Sequence, residues 1–404
     1  MLGTMEVRRL NPDELPQVWR MRTVVYNARH DYSREEASDP LAHPAGWYWG
    51  VFQNGKLISS LEELPFLMRF DGSSVPMSGI GGVGTLPEAR NSGAIGAMFS
   101  TMLPEARERG MVFSSLSPFS HSYYRAFGYE LACARNKVTI PTGEFRNFTC
   151  NGVFTQIFPG DDTSALAEVH SAYIAGLNHG ICRDYWPDNR AWRIFTRKDP
   201  YRTGTFLYLW RDREGRPRSY VKYRDQTVED KHVMAVLELA FTDREGLYGI
   251  LGLVKGLATQ FKEIQWPMPT FLDPTDLVKG LWDMNQRLVP QDMTRIINVE
   301  QALRLTRRPA GEGAYTVEVT EDPYIDANRG RWRVEFGEGE SRVSVVNTEP
   351  DLICDMPSLS QLVLGYRSLE NALRSRRNGL ELRSNRETLD RVFTPRPQHL
   401  TEYF

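Results

Sequence analysis

The sequence predicts a mixed α/β and α+β protein assembled from three units, and three observations carry that reading. The chain has 404 residues, more than one ordinary hydrophobic core organises, which points to two to four domains. Its first third alternates strand-like and helix-like segments around one strongly amphipathic helix. That order returns, in pattern rather than in obvious identity, between about residues 150 and 285, and a third segment then has a different rhythm. The units are expected at 1–148, 149–286 and 287–404.

In the first unit, residues 6–10 read as a short strand. Asn11 can cap a helix that begins at Pro12, with Leu15, Val18, Trp19, Val25 and Tyr26 on one face. A polar acidic stretch with Asp31, Glu35, Glu36 and Asp39 follows. Residues 47–53 and 56–66 flank Asn54-Gly55, the signature of a β-hairpin, and Asp71-Gly72 marks a second turn before a strand over 75–86. Residues 91–109 form the clearest helix, since Ile95, Met98, Phe99, Met102 and Leu103 make one stripe and Gly110 follows. A strand at 111–116, a short helix at 121–127 and strands through 140 complete the unit.

The second unit reads as a helix over 165–177, strands at 205–210, 219–223 and 233–241, and a helix over 242–260 with Leu247, Ile250, Leu251 and Val254 apolar. The third has a short helix at 299–305, alternating strands at 315–319, 332–336 and 343–346, and helices at 359–364 and 387–393. The sequence closes on His399, Leu400, Thr401, Glu402, Tyr403 and Phe404. Chain ends are normally polar and frayed, so aromatics there suggest a docked end.

Composition narrows the function. A net charge of −2 argues against a general nucleic-acid binder, which needs a basic surface. Cys133, Cys150, Cys182 and Cys354 are widely spaced with no CxxC pair, so neither a metal site nor a disulfide framework is expected. The N-terminus lacks the apolar core of a signal peptide, and no apolar run of about eighteen residues exists to span a membrane. The expected setting is the cytosol, with no nucleic-acid or membrane partner.

Two stretches carry chemistry. In the first, a long strand runs through Gly82, Val83, Gly84 and Thr85 into a loop with Arg90, Asn91, Ser92 and Gly93 and then into a helix with Ala94, Ile95 and Gly96. Helix N-termini offer unpaired N–H groups and partial positive charge, which suits a pyrophosphate. Gly93 permits close backbone approach, and Arg90 adds a forked donor. Gly79, Gly81 and Gly84 also match GxGxxG literally. A dinucleotide-binding motif would join strand directly to helix, whereas here residues 85–89 intervene. These glycines lie within a strand and point to a bulge or a close backbone approach. The second stretch runs Ser117, Pro118, Phe119, Ser120, His121, Ser122, Tyr123, Tyr124, Arg125, Ala126, Phe127, Gly128, Tyr129.

Together the two stretches resemble the GNAT acetyltransferase superfamily. Residues 90–95 resemble its R/Q-x-x-G-x-G/A pyrophosphate loop, with Ile95 in place of the last small residue, and residues 124–129 resemble its Y-x-x-F-G-[FY] segment. With the three-part layout and the terminal Phe404, the whole chain resembles the Eis (enhanced intracellular survival) family. That family has tandem GNAT-like mixed-sheet domains followed by a sterol-carrier-like α+β domain.

The resemblance implies acetyl-CoA as acyl donor. Val83, Gly84 and Thr85 would receive its acetyl carbonyl and pantetheine, and Asn91, Ser92, Gly93, Ala94, Ile95 and Gly96, with Arg90, its pyrophosphate. Phe119 and Ser120 would lie along its other side. Many Eis relatives carry adjacent arginines at this loop, whereas here Asn91 and Ser92 are neutral. Tyr124 would be the general acid and the Phe404 carboxylate the general base for direct transfer through a tetrahedral intermediate, without a metal. The implied substrates are polycationic amines of the aminoglycoside or polyamine kind, with Asp31, Glu35 and Glu402 as candidate binding residues, and the implied assembly is a homo-hexamer. In the second unit Asp243 and Glu245 put negative charge at the corresponding helix start, which would repel a pyrophosphate. Two other readings compete. One is a non-catalytic binder of an apolar ligand or acyl-CoA using the sterol-carrier-like domain. The other is a FemX-type aminoacyltransferase, which would call for a basic surface.

Overall fold

A computed structural model describes residues 4–26, 29–32, 39, 41, 43–148, 151–280, 282–337, 341–375 and 379–402. The first unit runs β1 (Met5–Arg9), α1 (Leu15–Val25), β2 (Tyr48–Gln53), β3 (Lys56–Phe70), β4 (Ser73–Thr85), α2 (Ala94–Glu108), β5 (Phe113–Leu116), α3 (His121–Arg125) and β6 (Glu130–Pro141). The two hairpins turn where the sequence places them. Asn54 and Gly55 have φ of 51° and 74°, and Asp71 and Gly72 have φ of 44° and 86°, the doubly left-handed geometry that matches strand twist. Asn11 and Glu14 close a reciprocal capping box ahead of α1.

The second unit contributes β7 (Val153–Gln156), α4 (Ser164–Ile174), α5 (Arg190–Thr196), α6 (Pro200–Thr203), β8 (Thr205–Arg211), β9 (Pro217–Val228), β10 (Lys231–Phe241), α7 (Arg244–Gly256) and β11 (Glu263–Pro269). A strand the sequence did not announce, β12 (Asn285–Ile296), follows. The third unit comprises α8 (Val299–Leu305), β13 (Gly313–Val319), β14 (Gly330–Phe336), β15 (Arg342–Val345), β16 (Leu352–Cys354), α9 (Met356–Val363), α10 (Leu369–Ser375), β17 (Leu380–Leu382) and α11 (Arg386–Val392).

The first two units share one twelve-stranded sheet, in the order β1-β2-β3-β4-β5-β12-β6-β11-β10-β9-β8-β7. β12 wedges between β5 and β6, pairing Met293 with Leu116 and Asp292 with Cys133. The expected boundary at 286–287 falls inside this strand. The third unit has its own five-stranded sheet, β15-β14-β13-β16-β17.

Two cores cover the two faces of the first unit. The α2 stripe packs with Trp49, Val51, Leu61, Ile80 and Tyr129 on one face. On the other, Leu64, Phe66, Met68 and Met77 share a core with Leu359, Leu362 and Phe393 of the third unit. That second face therefore lies against the C-terminal unit, and the docked chain end reaches the same side. Tyr173 bonds His399 Nδ1 at 2.7 Å, and Gln291 Nε2 donates to the Leu400 carbonyl at 2.8 Å. No helix among the described residues is long and apolar enough to cross a membrane.

Candidate active site

β4 and β5 lie parallel only from Met77–Phe113 to Ile80–Leu116. Beyond Ile80 they diverge, and β4 continues to Thr85 without a neighbour on that edge. A cleft of about 750 Å³ opens there, lined by Val25, Val83–Thr85, Arg90–Gly96, Phe119, Tyr123 and Phe127 among others. Its floor is the start of α2, three residues later than the sequence pattern placed it. Asn91 and Gly93 are both left-handed, at φ 62° and 83°, and two such residues cannot belong to a right-handed helix. The first intrahelical bond runs from Ala97 N to Gly93 O. Among the described residues none of the N–H groups from Asn91 to Gly96 has an acceptor. The Ser92 hydroxyl is buried there without a partner, and Arg90 is exposed at the mouth. This donor set, at the positive end of a helix, fits a pyrophosphate. The apolar Val25, Ile95, Phe119 and Phe127 fit an organic chain beside it.

The glycine cluster does form a bulge. Ser60 pairs with Gly84 and Glu62 with Gly81, so Gly82 and Val83 face the single Leu61. Gly82 adopts φ 58° because the Arg22 guanidinium of α1 lies against it; a Cβ there would stand 2.2 Å from Nη2. Arg22 is fixed in turn by Glu62 at 2.9 Å, and Glu62 also meets His43. Burial alone would raise the Glu62 pKa, but the hydrogen bond and charge of His43, with Arg22, hold it at about 2. Next along the strand, Tyr26 donates to the Val83 carbonyl at 2.8 Å, and Ser59 donates to the Gly84 carbonyl and bonds the Thr85 hydroxyl, each at 2.9 Å.

Tyr124 sits in α3, 2% exposed, outside the lining of the cleft and directly behind it, edge-on to the lining residues Phe119 and Tyr123. Burial, then the neighbouring phenols of Tyr26, Tyr123 and Tyr129, push its pKa well above the tyrosine range. Its hydroxyl accepts or donates no hydrogen bond among the described residues. Phe119 is 75% exposed and lines the cleft. Ser120 has a different duty, since its hydroxyl caps α3 by accepting from Tyr123 N. The turn after α3 is pinned by Arg295 of β12, which donates to the Phe127 carbonyl at 2.7 Å and pairs with Asp322 at 2.6 Å.

A second cleft, about 500 Å³, lies across the Arg22–Gly82 wall on the face of the third unit. Arg22, Asp39, His43, Glu62, Phe66, Arg183, Trp186, Lys198 and Glu402 contribute to its lining. Arg183, 4% exposed, holds Glu402 at 2.6 Å and Glu238 at 2.6 Å. Its charge keeps the Glu238 pKa below the carboxylate range against the effect of burial, whereas burial leaves that of Glu402 raised. Lys222, near the same cluster, is pushed down to about 8 by burial. Of the expected amine-binding residues, Glu402 lines this cleft, Asp31 is exposed and outside its lining, and Glu35 lies outside the described residues. Phe404 also lies outside the described residues.

The sequence pattern missed the Arg22–Glu62–His43 and Arg183–Glu238–Glu402 clusters, whose members come from distant segments. It also missed Asp292, buried at the end of β5. The Asp292 carboxylate accepts from the Ser117 hydroxyl at 2.5 Å, its second oxygen has no partner, and burial raises its pKa to about 7. The counterpart helix of the second unit, α7, begins differently. The Asp243 side chain accepts from Gly246 N at 3.0 Å, and Arg218 bridges Asp243 and Glu245, so that helix start is closed by its own carboxylate.

Residues 6–132 match the acetyltransferase (GNAT) domain family, and residues 299–401 match the sterol carrier protein domain family. Comparison with curated protein sequences returns no match. Among solved structures, a probable N-acyltransferase from Enterococcus faecalis is 21% identical, with TM-score 0.84 and 100% of both chains covered. A GCN5-related N-acetyltransferase from Anabaena variabilis is 19% identical, with TM-score 0.86, covering 99% of this chain and 100% of that one. Eis1 from Mycobacterium abscessus is 20% identical, with TM-score 0.81 and the same coverage. At these identities the structures establish a shared fold, and the domain match at residues 6–132 supplies the chemistry. The chain thus carries an acetyltransferase (GNAT) domain at residues 6–132, which makes it an acyltransferase, and a sterol carrier protein domain at residues 299–401, and it shares its overall fold with Eis1.

Proposed function

We propose that the chain transfers the acetyl group of acetyl-CoA directly to a primary amine, with Tyr124 as general acid and the Phe404 carboxylate as general base. The observation that carries this reading is the run of acceptor-free N–H groups from Asn91 to Gly96, lying beside the bulged, splayed end of β4. Acetyl-CoA is the substrate whose pyrophosphate those donors suit. The Gly82–Val83 bulge leaves backbone at the place where a thioester carbonyl would develop negative charge, and fixed backbone donors there lower the barrier.

An alkylammonium has a pKa near 10 and must lose a proton before it attacks. A terminal carboxylate, ordinarily near 3.5, becomes a stronger base as it loses water. The path of the chain end supports this role, because residues 398–402 run inward and Glu402 is anchored at the second cleft. On collapse the sulfur leaves as thiolate. A thiol of the cysteine type has a pKa of about 8.5, below a phenol near 10 and further below the buried Tyr124 phenol, so Tyr124 keeps its proton and assists the departing thiolate by the hydrogen bond it donates to the sulfur. The second cleft lies on the other side of the Arg22–Glu62 pair, so the amine would approach from the face opposite α2.

The test is the kinetics of Tyr124→Phe. The phenyl ring keeps the packing with Phe119 and Tyr123, so kcat falls by roughly a hundredfold or more, as expected for one general acid, while the KM for acetyl-CoA is unchanged. An unchanged kcat would remove Tyr124 from the chemistry, and a parallel loss of acetyl-CoA binding would make its role structural.

A further inference from the structure

Acetylation strips two protons from the nitrogen: a primary alkylammonium enters with three N–H bonds and leaves as an amide with one. The Phe404 carboxylate accounts for the proton lost before attack, and Tyr124 keeps its own, so the second proton has no acceptor yet. The second cleft holds a group suited to take it. His43 lines that cleft, with its side chain 21% exposed, and its Nδ1 meets one oxygen of Glu62. The other oxygen of Glu62 is held by Arg22 at 2.9 Å. Beside that permanent charge Glu62 is a carboxylate, which can only accept a hydrogen bond. The proton of the neutral imidazole therefore sits on Nδ1, and Nε2 carries the lone pair. Among the described residues Nε2 has no hydrogen-bond partner. Trp47 and Trp186 lie 5.1 and 5.8 Å from the imidazole, centroid to centroid, and indole rings at that range favour a cation. Trp186 is itself fixed by its N–H, which donates to the Pro65 carbonyl at 2.7 Å. The pair also stands at the right strand position. Glu62 is in register with Gly81, at the edge of the Gly82–Val83 bulge, and its partner Arg22 lies against Gly82.

We infer that His43 is the second proton acceptor of the transfer and that Glu62 is the residue that positions it; the inference rests on the transferase reading given above. Once the amine lone pair has formed the N–C bond, the nitrogen carries one proton more than an amide does. An adduct that keeps this proton can expel the amine again. Nε2 of His43 takes it, directly or through one water. The N–H electron pair stays on nitrogen, the C=O double bond re-forms, and the C–S bond breaks with its pair on sulfur. A carboxylate on Nδ1–H fixes the tautomer before the step and stabilises the imidazolium that the step creates. The ring is partly exposed, so the imidazolium returns its proton to solvent and is ready for the next turnover.

The experiment compares thiol release from acetyl-CoA, with spermidine as the amine, by the wild-type protein, His43→Ala and His43→Gln, each with and without added imidazole. His43→Gln keeps a side-chain N–H for Glu62 but has no basic nitrogen. Both variants are expected to lose about a hundredfold in kcat, the share of one general base, at unchanged KM for acetyl-CoA. Imidazole is expected to restore His43→Ala by about tenfold or more, since the vacated space admits the missing base, and to leave His43→Gln as it is. A purely structural histidine would not respond to free imidazole. Wild-type activity in His43→Gln would reduce His43 to a hydrogen-bond donor and overturn the inference, and so would a loss in His43→Ala that imidazole does not restore. Failure of the transferase reading has a separate signature: the wild-type protein itself then releases no thiol, and the inference falls with it.

Discussion

Replacing Gly82 by alanine tests how the wall between the two clefts is built. The new methyl would lie 2.2 Å from Arg22 Nη2, whereas ordinary contact begins at 3.4 Å, so the guanidinium must retreat by about 1 Å. It cannot do so and keep its 2.9 Å bond to Glu62, a side chain buried with His43 on its other oxygen. Two costs add. An alanine held at positive φ costs about 1–2 kcal/mol, and a buried carboxylate that loses its partner costs about 3–5 kcal/mol. Gly93 supplies the internal control. Its φ is 83°, but nothing lies within 4 Å of the position its Cβ would take, so Gly93→Ala bears only the first cost. The difference between the variants, about 3 kcal/mol or more, corresponds to a hundredfold or greater change in a local opening equilibrium. Hydrogen exchange by mass spectrometry on the ligand-free protein reads this directly in peptides from residues 73–85. Gly82→Ala is expected to exchange there at least a hundredfold faster than wild type, and Gly93→Ala within about tenfold of it. Equal protection in the two variants would refute the argument that Arg22 is pressed on Gly82 by Glu62.

Other perturbations follow from the buried charges. Arg183→Met leaves Glu238 and Glu402 without the arginine that joins them, at a cost of about 3–5 kcal/mol; a fall in Tm of roughly 5 °C is expected for a chain of this length, and an unchanged Tm would mean that water and Lys222 compensate the cluster. Asp292 has a folded pKa of about 7, raised chiefly by burial from 3.8. The folded state therefore holds this proton more tightly than the unfolded chain. The stability tied to it is complete below pH 3.8 and is lost as pH rises to 7, about 4 kcal/mol over that window. Asp292→Asn should be more stable than wild type at pH 8 and gain nothing at pH 4, as read from paired thermal melts, and a pH-independent difference would contradict the assignment.

Much of the shape of the first cleft was legible because its signals are local. The 91–109 stripe has helical periodicity, and a glycine run inside a strand points to a bulge because a Cβ at Gly82, at φ 58°, would meet the Arg22 guanidinium. The helix start was misplaced by three residues, since nothing in Asn91 and Ser92 announces that the chain turns left-handed before Ala94. β12 was not legible. Pro290 and Asp292 break its pattern, and both sit at register shifts where a central strand tolerates them. The charge clusters were beyond sequence reading for another reason. Arg22 and Glu62, Arg183 and Glu402, or Arg295 and Asp322 meet only after the sheet is assembled, and no spacing rule joins residues so far apart.

The most direct test of the account is thiol release from acetyl-CoA, with a saturating amine, by the protein ending at Phe404 and by the same protein with one residue added after it. The added residue converts the Phe404 carboxylate to an amide and moves the new carboxylate by roughly 3.5 Å. The account predicts turnover by the first protein and a hundredfold or greater loss of kcat in the second at unchanged acetyl-CoA affinity. Equal turnover by both would contradict the role given to the Phe404 carboxylate, and no turnover by either, with acetyl-CoA bound, would contradict acetyl transfer to the amine tested.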